Sequence, residues 1–453
     1  MSGMREAGSR PAADLALLDS RMGGIAVELD LMFGERPPIS EMEWVTDYAD
    51  AQEVLRSADF ASSLQSRSNS RISRGTLLSL WGAEHSARRR AEMTMFARDR
   101  QREYEFGIVR PVIGEIVEQS LAGSAGDWAE VDLLRLSRQA LVRVSARTVG
   151  LDNVTDESST DRLLHISHRI GEGVAVDWTK RPVEEVLAEA FAAKEEFIAD
   201  FFEPARQNRL ERLSNGEDVA GDILGLLLSD SQYRDNHELL VSECLFYLGA
   251  SANTTTHLMP HLFLEIARWF DDNPDKLDLA TSPSFLQRAA SEGLRLHPLV
   301  PALSRVALED VTLPSGRVIT KGTYFGVDIN TINRDRDVFG EDAEEFNPFR
   351  EPAGRAHLYG SAFGHGPHVC PGRVVAVGAA NGAVQSVDAS SGVVPRMLLE
   401  LFTYDMAVNP DKAPAARSDT TTGRYASFSM LCRRRADGSV PVITADLKRG
   451  VSA

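Results

Sequence analysis

The ten residues from Phe363 to Gly372, reading Phe-Gly-His-Gly-Pro-His-Val-Cys-Pro-Gly, constrain this chain more than any other stretch. Their glycines and prolines suit neither a helix interior nor a central strand, so they form a tight loop around one cysteine. Such a loop suits a thiolate that binds iron. Gly364, Gly366 and Gly372 let backbone N–H groups approach the sulfur closely, and a buried anion without such donors is costly. The residues alone leave other readings open. A lone cysteine is more often a small buried hydrophobe. His365, His368 and Cys370 could also ligate zinc, although neither Cys244 nor Cys432 belongs to a Cys-x-x-Cys pair that would complete the set.

Composition matters mainly for what it excludes. No Pro/Gly/Ser-rich linker, repeat or long charge block divides the 453 residues, so one domain over 1–453 is expected, with residues 1–15 flexible. No stretch approaches the roughly 20 apolar residues of a membrane span, and the polar N-terminus has no apolar signal core. Three scattered cysteines fit a reducing compartment, and a net charge of −17 argues against nucleic acid as the main partner. A cytoplasmic protein with no membrane attachment is therefore expected.

Most of the chain carries helical periodicity. An amphipathic helix is expected between Arg181-Pro182 and Glu203-Pro204, and a longer, more apolar one from about Glu238 to Arg268, stopped by Asp271-Asp272-Asn273-Pro274. Ser282-Pro283 supplies an N-cap and first turn for a third, ending at His297-Pro298. Four short β segments follow, Val306 to Leu308, Val311 to Leu313, Arg317 to Thr320 and Thr323 to Asp328, spaced as hairpins. Glu292 and Arg295 share a helix face and can pair, which at a solvated surface contributes little.

The full loop pattern, Phe-Gly-x-Gly-x-His-x-Cys-x-Gly, resembles the haem-binding loop of the cytochrome P-450 superfamily, and the order of elements resembles that fold over nearly the whole chain. The resemblance implies a mainly α protein with a small β region, with haem b held between the long central helix and the cysteine loop. Cys370 would be the axial iron ligand, and Phe363, Gly364, Gly366 and Gly372 would shape the loop. Glu292, Arg295 and Arg350 match the family's buried structural triad, whose disruption costs roughly 3–5 kcal/mol. His85 and Arg89, four apart on one helix face, match its propionate contacts together with Arg305 and His368. Gly249 to Thr255 is similar to the oxygen-activation motif, with Ala250 near the haem and Thr254 as the distal alcohol. Two positions depart from that motif: Asn253 stands where an acid is usual, and Ser251 replaces a glycine. An amide holds water but cannot relay a proton as a carboxyl group does.

These matches imply a haem-thiolate monooxygenase that oxidises, most simply hydroxylates, a small secondary-metabolite substrate, with electrons from a ferredoxin-type partner, acting as a monomer. Alternatives are atypical chemistry such as C–C coupling, rearrangement or nitration, or a haem-binding protein that does not turn over. Three further segments carry expectations. Gly378, Gly382 and the run Ser386 to Gly392 interrupt the helix after the cysteine on the face where electron partners dock. Arg88, Arg89, Arg90, Arg98, Arg100 and Arg102 could form a basic patch there. Arg67, Arg71 and Arg74 could meet an anionic substrate, and Gly171 and Gly173 could hinge a cover over the pocket.

Overall fold

The computed structural model describes residues 33–34, 36–63, 72, 75–124, 126–252, 254–379, 386–436 and 438–446. The segment 1–15 and Arg67, Arg71, Arg74 and Asn253 lie outside them. Helices begin and end where local chemistry says they should. Asp132 accepts from the amides of Leu134 and Arg135 and starts the largely buried helix Leu133–Val149, which Gly150 closes at φ +99°. Ser282 accepts from Phe285 N, Pro283 fills the first turn, and helix Pro283–Leu296 ends at His297 as expected.

The long helix expected from Glu238 to Arg268 is two helices, His237–Ala252 and Thr255–Asp272. Around the break, Thr254 Oγ1 donates to the Ala250 carbonyl at 2.5 Å and Thr256 Oγ1 to the Ala252 carbonyl at 2.8 Å. Hydroxyls that bond back one turn compete with the backbone ladder and bend helices. Pro260, inside the second helix, also removes one ladder donor.

The helix expected to stop at Glu203-Pro204 instead continues: Val183–Phe197 passes through a π-helical stretch, Ile198–Phe202, into Glu203–Ser214. The same succession occurs upstream, where the π-helical Glu103–Val109 precedes Arg110–Ala122, whose first turn holds Pro111. A proline has no N–H for the carbonyl four residues back and its ring crowds that carbonyl, so a wider turn just before it relieves both problems. Gly173 is not a hinge. It lies within helix Glu157–Val174, and an added Cβ would collide with Ala190 on the neighbouring helix and lie 2.8 Å from Ile72.

The expected hairpins belong to a four-stranded sheet ordered β1 (Glu43–Val45), β7 (Tyr324–Asp328), β4 (Ala302–Ala307), β2 (Phe60–Ser62), with a separate β5 (Val311–Thr312) and β6 (Val318–Ile319) pair. A second sheet, ordered β12 (Ile443–Thr444), β8 (Asp405–Val408), β11 (Ser429–Arg433), β3 (Ala129–Asp132), was not anticipated. A small hairpin, β9 (Ala415–Ala416) with β10 (Tyr425–Ser427), completes the β structure. The largest apolar cluster joins helices Leu133–Val149, Thr255–Asp272, Pro283–Leu296 and Val393–Leu401 to the second sheet.

Two polar devices brace the region behind the cysteine loop. Arg295 makes two bonds to Glu292, at 2.8 and 2.7 Å, and Arg350 a third at 2.9 Å. The Glu292 and Arg295 side chains are fully buried and that of Arg350 is 3% exposed, so this is no solvated pair. Their remaining donors reach the carbonyls of Asn333, Ala343, Phe339 and Asp342. The second device closes the interrupted segment. Helix Arg373–Val377 ends at Gly378 (φ +82°), and the chain re-enters at Gly392 (φ +106°) to begin helix Val393–Leu401. Residues 380–385, Gly382 among them, lie outside the described residues. Buried Glu105 accepts from the amides of Ser391 and Gly392 at 3.0 and 2.9 Å, and Arg396 donates to the Val387 carbonyl at 2.7 Å.

The two ends of that excursion touch. A Cβ on Gly392 would lie 2.6 Å from Gly378 N and 2.7 Å from Ala376 O, whereas one on Gly423 would meet nothing within 4 Å. Gly392→Ala should therefore lower stability by about 1–3 kcal/mol while Gly423→Ala leaves it nearly unchanged. Urea midpoints of the two variants check this, and equal midpoints would remove the pinch.

Candidate functional site

The cysteine loop is folded on itself and on its surroundings. Cys370 N donates to the Phe363 carbonyl at 2.8 Å and Val369 N to the Gly366 carbonyl at 3.1 Å. Gly364 and Gly366 adopt φ of +65° and +66°, open to glycine at no steric cost. Gly366 also sits against the last turn of helix Tyr48–Arg56, where a Cβ would lie 2.5 Å from the Leu55 carbonyl. The Phe363 ring packs edge-on against Tyr359 at 4.9 Å. Burial pushes the Cys370 thiol up, against the opposing pull of the Gly372 and Arg373 amides and the Arg89 and Arg373 guanidinium groups. Gly372 leaves the sulfur uncovered, since its missing Cβ would sit 3.8 Å from Sγ. The loop thus desolvates the sulfur more than it stabilises the anion, and a metal cation is what would make it a thiolate. Among the described residues no group of three or more His, Cys, Asp or Glu side chains is arranged to hold a metal, so the zinc reading finds no support there.

Four basic groups converge beside this loop from three segments. His85 and Arg89 come from helix Gly82–Glu92, Arg305 from β4 and His368 from the loop. The His85 and His368 rings lie 4.3 Å apart, and Arg89 Nη2 donates to the Val369 carbonyl at 2.5 Å. Among the described residues, Arg305, 4% exposed, donates only to its neighbour's carbonyl, Ser304 O, at 2.9 Å, and His85 Nε2 is buried without a partner. Burial pushes His85 down to about 4, His368 to about 3 and Arg305 to about 10, and neighbouring cations push both imidazoles further in that direction. None of the four has an ionised carboxylate against it among the described residues. A buried guanidinium without a counter-ion is costly, and the carboxylates of a bound group would remove that cost at Arg305 while offering acceptors to the other three. A haem, with its two propionates and an iron for Cys370, fits these residues.

At the break between the two central helices Thr254 is half-buried, its hydroxyl turned back to Ala250, whose carbonyl is its acceptor. Ser251 lies in the last turn of helix His237–Ala252, and Asn253 falls outside the described residues. Of the residues expected to act there, the structure therefore positions the Thr254 hydroxyl and the Ala250 carbonyl.

One cluster was missed. Arg88, expected on a basic surface patch, is 1% exposed and donates to the Gly75 carbonyl at 2.7 Å and to Glu243 at 3.3 Å. Glu243 also accepts from Leu77 N at 3.1 Å, and Tyr247 donates to Glu92 Oε2 at 2.6 Å, leaving Glu92 Oε1 buried without a partner. Two carboxyl groups, a tyrosine and one arginine thus join the helix bearing His85 and Arg89 to the central helix. The available signal was spacing: Arg88 and Glu92, and Glu243 and Tyr247, are each four apart, the second pair inside an apolar run. The remaining arginines do not form one patch. Arg100 pairs with Glu103, and Arg102 donates to the Asp388 carbonyl at 2.7 Å while lying over the Phe106 ring, which leaves Arg90 and Arg98 as exposed cations.

Comparison with known proteins agrees with this geometry. The relatives include a cytochrome P450 monooxygenase, sphH, of Aspergillus fumigatus, 31% identical over 183 residues that make up 34% of this chain and 33% of the relative. Echinocystic acid 23-monooxygenase of Saponaria officinalis is 29% identical over 52% of this chain and 49% of its own. The chain thus matches about a third to a half of the length of these curated relatives. Solved structures of similar fold include P450BioI in complex with hexadec-9Z-enoic acid ligated acyl carrier protein, with a TM-score of 0.66 and 16% identity over 86% of this chain and 92% of that one. Substrate-free CYP109E1 from Bacillus megaterium also has a TM-score of 0.66, at 19% identity, covering 91% of this chain and 98% of that one. The family described as cytochrome P450 matches residues 29–378, three quarters of the sequence and all of the cysteine loop, and the chain belongs to that family.

Proposed function

We propose that this protein is a haem-thiolate monooxygenase that oxidises a small organic molecule with electrons from a separate ferredoxin-type protein. The observation that carries the reading is the convergence of His85, Arg89, Arg305 and His368 beside the Cys370 loop, with His85 and Arg305 buried and Arg305 in no ion pair among the described residues. When bound, haem supplies the activation of dioxygen, which no side chain here can perform. The protein's own residues do the rest. Cys370 holds the iron, with the Gly372 and Arg373 amides tempering its charge. His85, Arg89, Arg305 and His368 hold the propionates and fix the group's orientation.

Thr254 offers a hydroxyl that can leave the Ala250 carbonyl and hold a water. Asn253 and Ser251 serve as water-holding groups, since neither side chain relays a proton as a carboxylic acid does. The carboxyl group of Glu92 is bonded to Tyr247, seven residues before Thr254 in the chain. Exposed Arg90 and Arg98, and the Arg102 contact with the segment after the cysteine, suit the docking of an acidic electron donor. No described helix is long and apolar enough to cross a membrane.

Three measurements check this reading. The ferrous carbon monoxide complex should show the red-shifted band of thiolate ligation, Cys370→Ser should lose it, and a histidine-type spectrum from the unsubstituted protein would overturn the reading. Thr254→Ala should keep the band while sending more electrons to peroxide or water instead of product.

The third measurement concerns Glu92. Burial pushes it up to about 9 and Glu243 up to about 7, with the Tyr247 hydrogen bond and Arg88 pulling Glu92 the other way, so the carboxyl pair holds at least one proton at neutral pH. A raised folded pKa favours the protonated form. Its contribution is complete below the ordinary value of 4.5 and is lost as pH rises through about 9. Glu92→Gln cannot ionise, so between pH 6 and 9 its stability should fall less than that of the unsubstituted protein, by on the order of a few kcal/mol. Urea midpoints at both pH values decide it; parallel profiles would mean that Glu92 is already ionised in the fold at pH 6, its pKa not raised.

A further inference from the structure

A cavity of about 250 Å³ opens beside the cysteine loop, and none of His85, Arg89, Arg305 and His368 lines it. Arg56 from the end of helix Tyr48–Arg56 and Arg373 from helix Arg373–Val377 face it, together with His357, Tyr359 and His365. One wall is the loop itself, through Gly364, Gly366 and Val369. No acidic side chain lines the cavity. Three of its rings are layered: His357 stacks on Tyr359 with centroids 4.7 Å and planes 19° apart, and lies 6.4 Å from His365 with planes 12° apart. His365 is fixed in turn, its Nε2 bonded to the Ser361 hydroxyl at 2.9 Å.

The polar side chains here are donors that lack an acceptor. Arg56 gives one nitrogen to Gln52 Oε1 at 2.9 Å and Arg373 one to the Cys370 carbonyl at 3.3 Å, and neither guanidinium is in an ion pair among the described residues. Tyr359 is 8% exposed, yet its hydroxyl makes no hydrogen bond among them. Partial burial, then the Arg373 and Arg56 guanidinium groups, hold His357 below its ordinary pKa, in keeping with two positive charges close to one ring. Two unpaired guanidinium groups and a buried phenol thus share one cavity.

We propose that this cavity binds a phosphate group, as inorganic phosphate or a small phosphate monoester, through Arg56, Arg373 and Tyr359. Two guanidinium groups match the nearly two negative charges a phosphate carries near neutral pH, and its oxygens supply acceptors for both forks and for the phenol. The mouth, where Arg56 and His357 are exposed, leaves room for the organic part of an ester. Because the loop that carries Cys370 forms one wall, a phosphate held between Arg56 and Arg373 ties that loop to helix Tyr48–Arg56. The site takes no part in the oxidation proposed above and touches it only through this loop.

Calorimetric titration of the haem-loaded protein, whose propionate contacts are then filled, tests this at constant ionic strength with inorganic phosphate, phenyl phosphate and succinate. A saturable phosphate site is expected, with succinate, which matches the charge but not the tetrahedral shape, about tenfold weaker. Arg56→Gln and Arg373→Gln should each weaken phosphate about tenfold, and Tyr359→Phe about threefold, with the thiolate band kept. Tighter binding of phenyl phosphate than of phosphate identifies the monoester as the ligand; the reverse order identifies the free anion, and both orders support the site. Absence of a saturable phosphate site, succinate binding as tightly as phosphate, or phosphate affinity unchanged in both arginine variants would overturn the proposal. Arg56 lies at an exposed helix end, so if Arg373→Gln does not fold, Arg56→Gln decides alone.

Discussion

The site depends on holding the half-buried Cys370 sulfur in a fixed loop, where burial pushes its thiol pKa up. That has value only if the loop cannot relax to rehydrate the sulfur. The restraint can be traced bond by bond. Arg295, fixed by Glu292, donates to the Asn333 carbonyl at 2.8 Å, and Asn333 returns a bond from its amide to the Arg295 carbonyl at 3.1 Å. The Asn333 Oδ1 then accepts from Ser361 N at 2.7 Å, and the Ser361 hydroxyl bonds His365 Nε2 at 2.9 Å inside the cysteine loop. The buried triad is thus joined to the loop through one fully buried asparagine, which gives a physical reason for placing strong, costly ion pairs so close to the site.

How much of this was legible in the sequence follows from the range of each signal. The loop, the Ser282 cap and the β segments between Val306 and Asp328 are written in adjacent residues and were read, although β4 begins four residues before the expected Val306, at Ala302. The pairing of β3 with β11 joins short strands at opposite ends of the chain, with Asp132 beside Ser429, and no local pattern announces it. The π-helical stretches before Pro111 and Pro204 show a different limit: proline was taken as a stop, but a helix that can widen by one residue absorbs it.

For the site the limit was direction. His85, Arg88, Arg89 and Glu92 are all polar residues of one helix, and spacing alone does not say which side faces the core. The structure buries His85, Arg88 and Glu92 because the neighbouring central helix presents Glu243 and Tyr247, partners whose position no local reading supplies. Gly173 illustrates the same point, since a packing glycine and a hinge glycine look identical until Ala190 is seen against it.

Charge compensation separates the buried arginines of this protein into two kinds. Arg295 and Arg350 share Glu292, and Arg209 is held by Asp152 and Asp222 at 2.7 and 2.6 Å, so their charges are answered within the chain. Such groups are structural, and removing a partner leaves an uncompensated charge. Arg305 has no such answer among the described residues. A chain that folds with a guanidinium removed from water and unpaired has accepted a cost that binding of an anion would recover. His85, Arg89 and His368 stand beside it, and together they suit a dianionic group. The same bookkeeping therefore separates the arginines that hold the fold from the one that fits a haem beside Cys370.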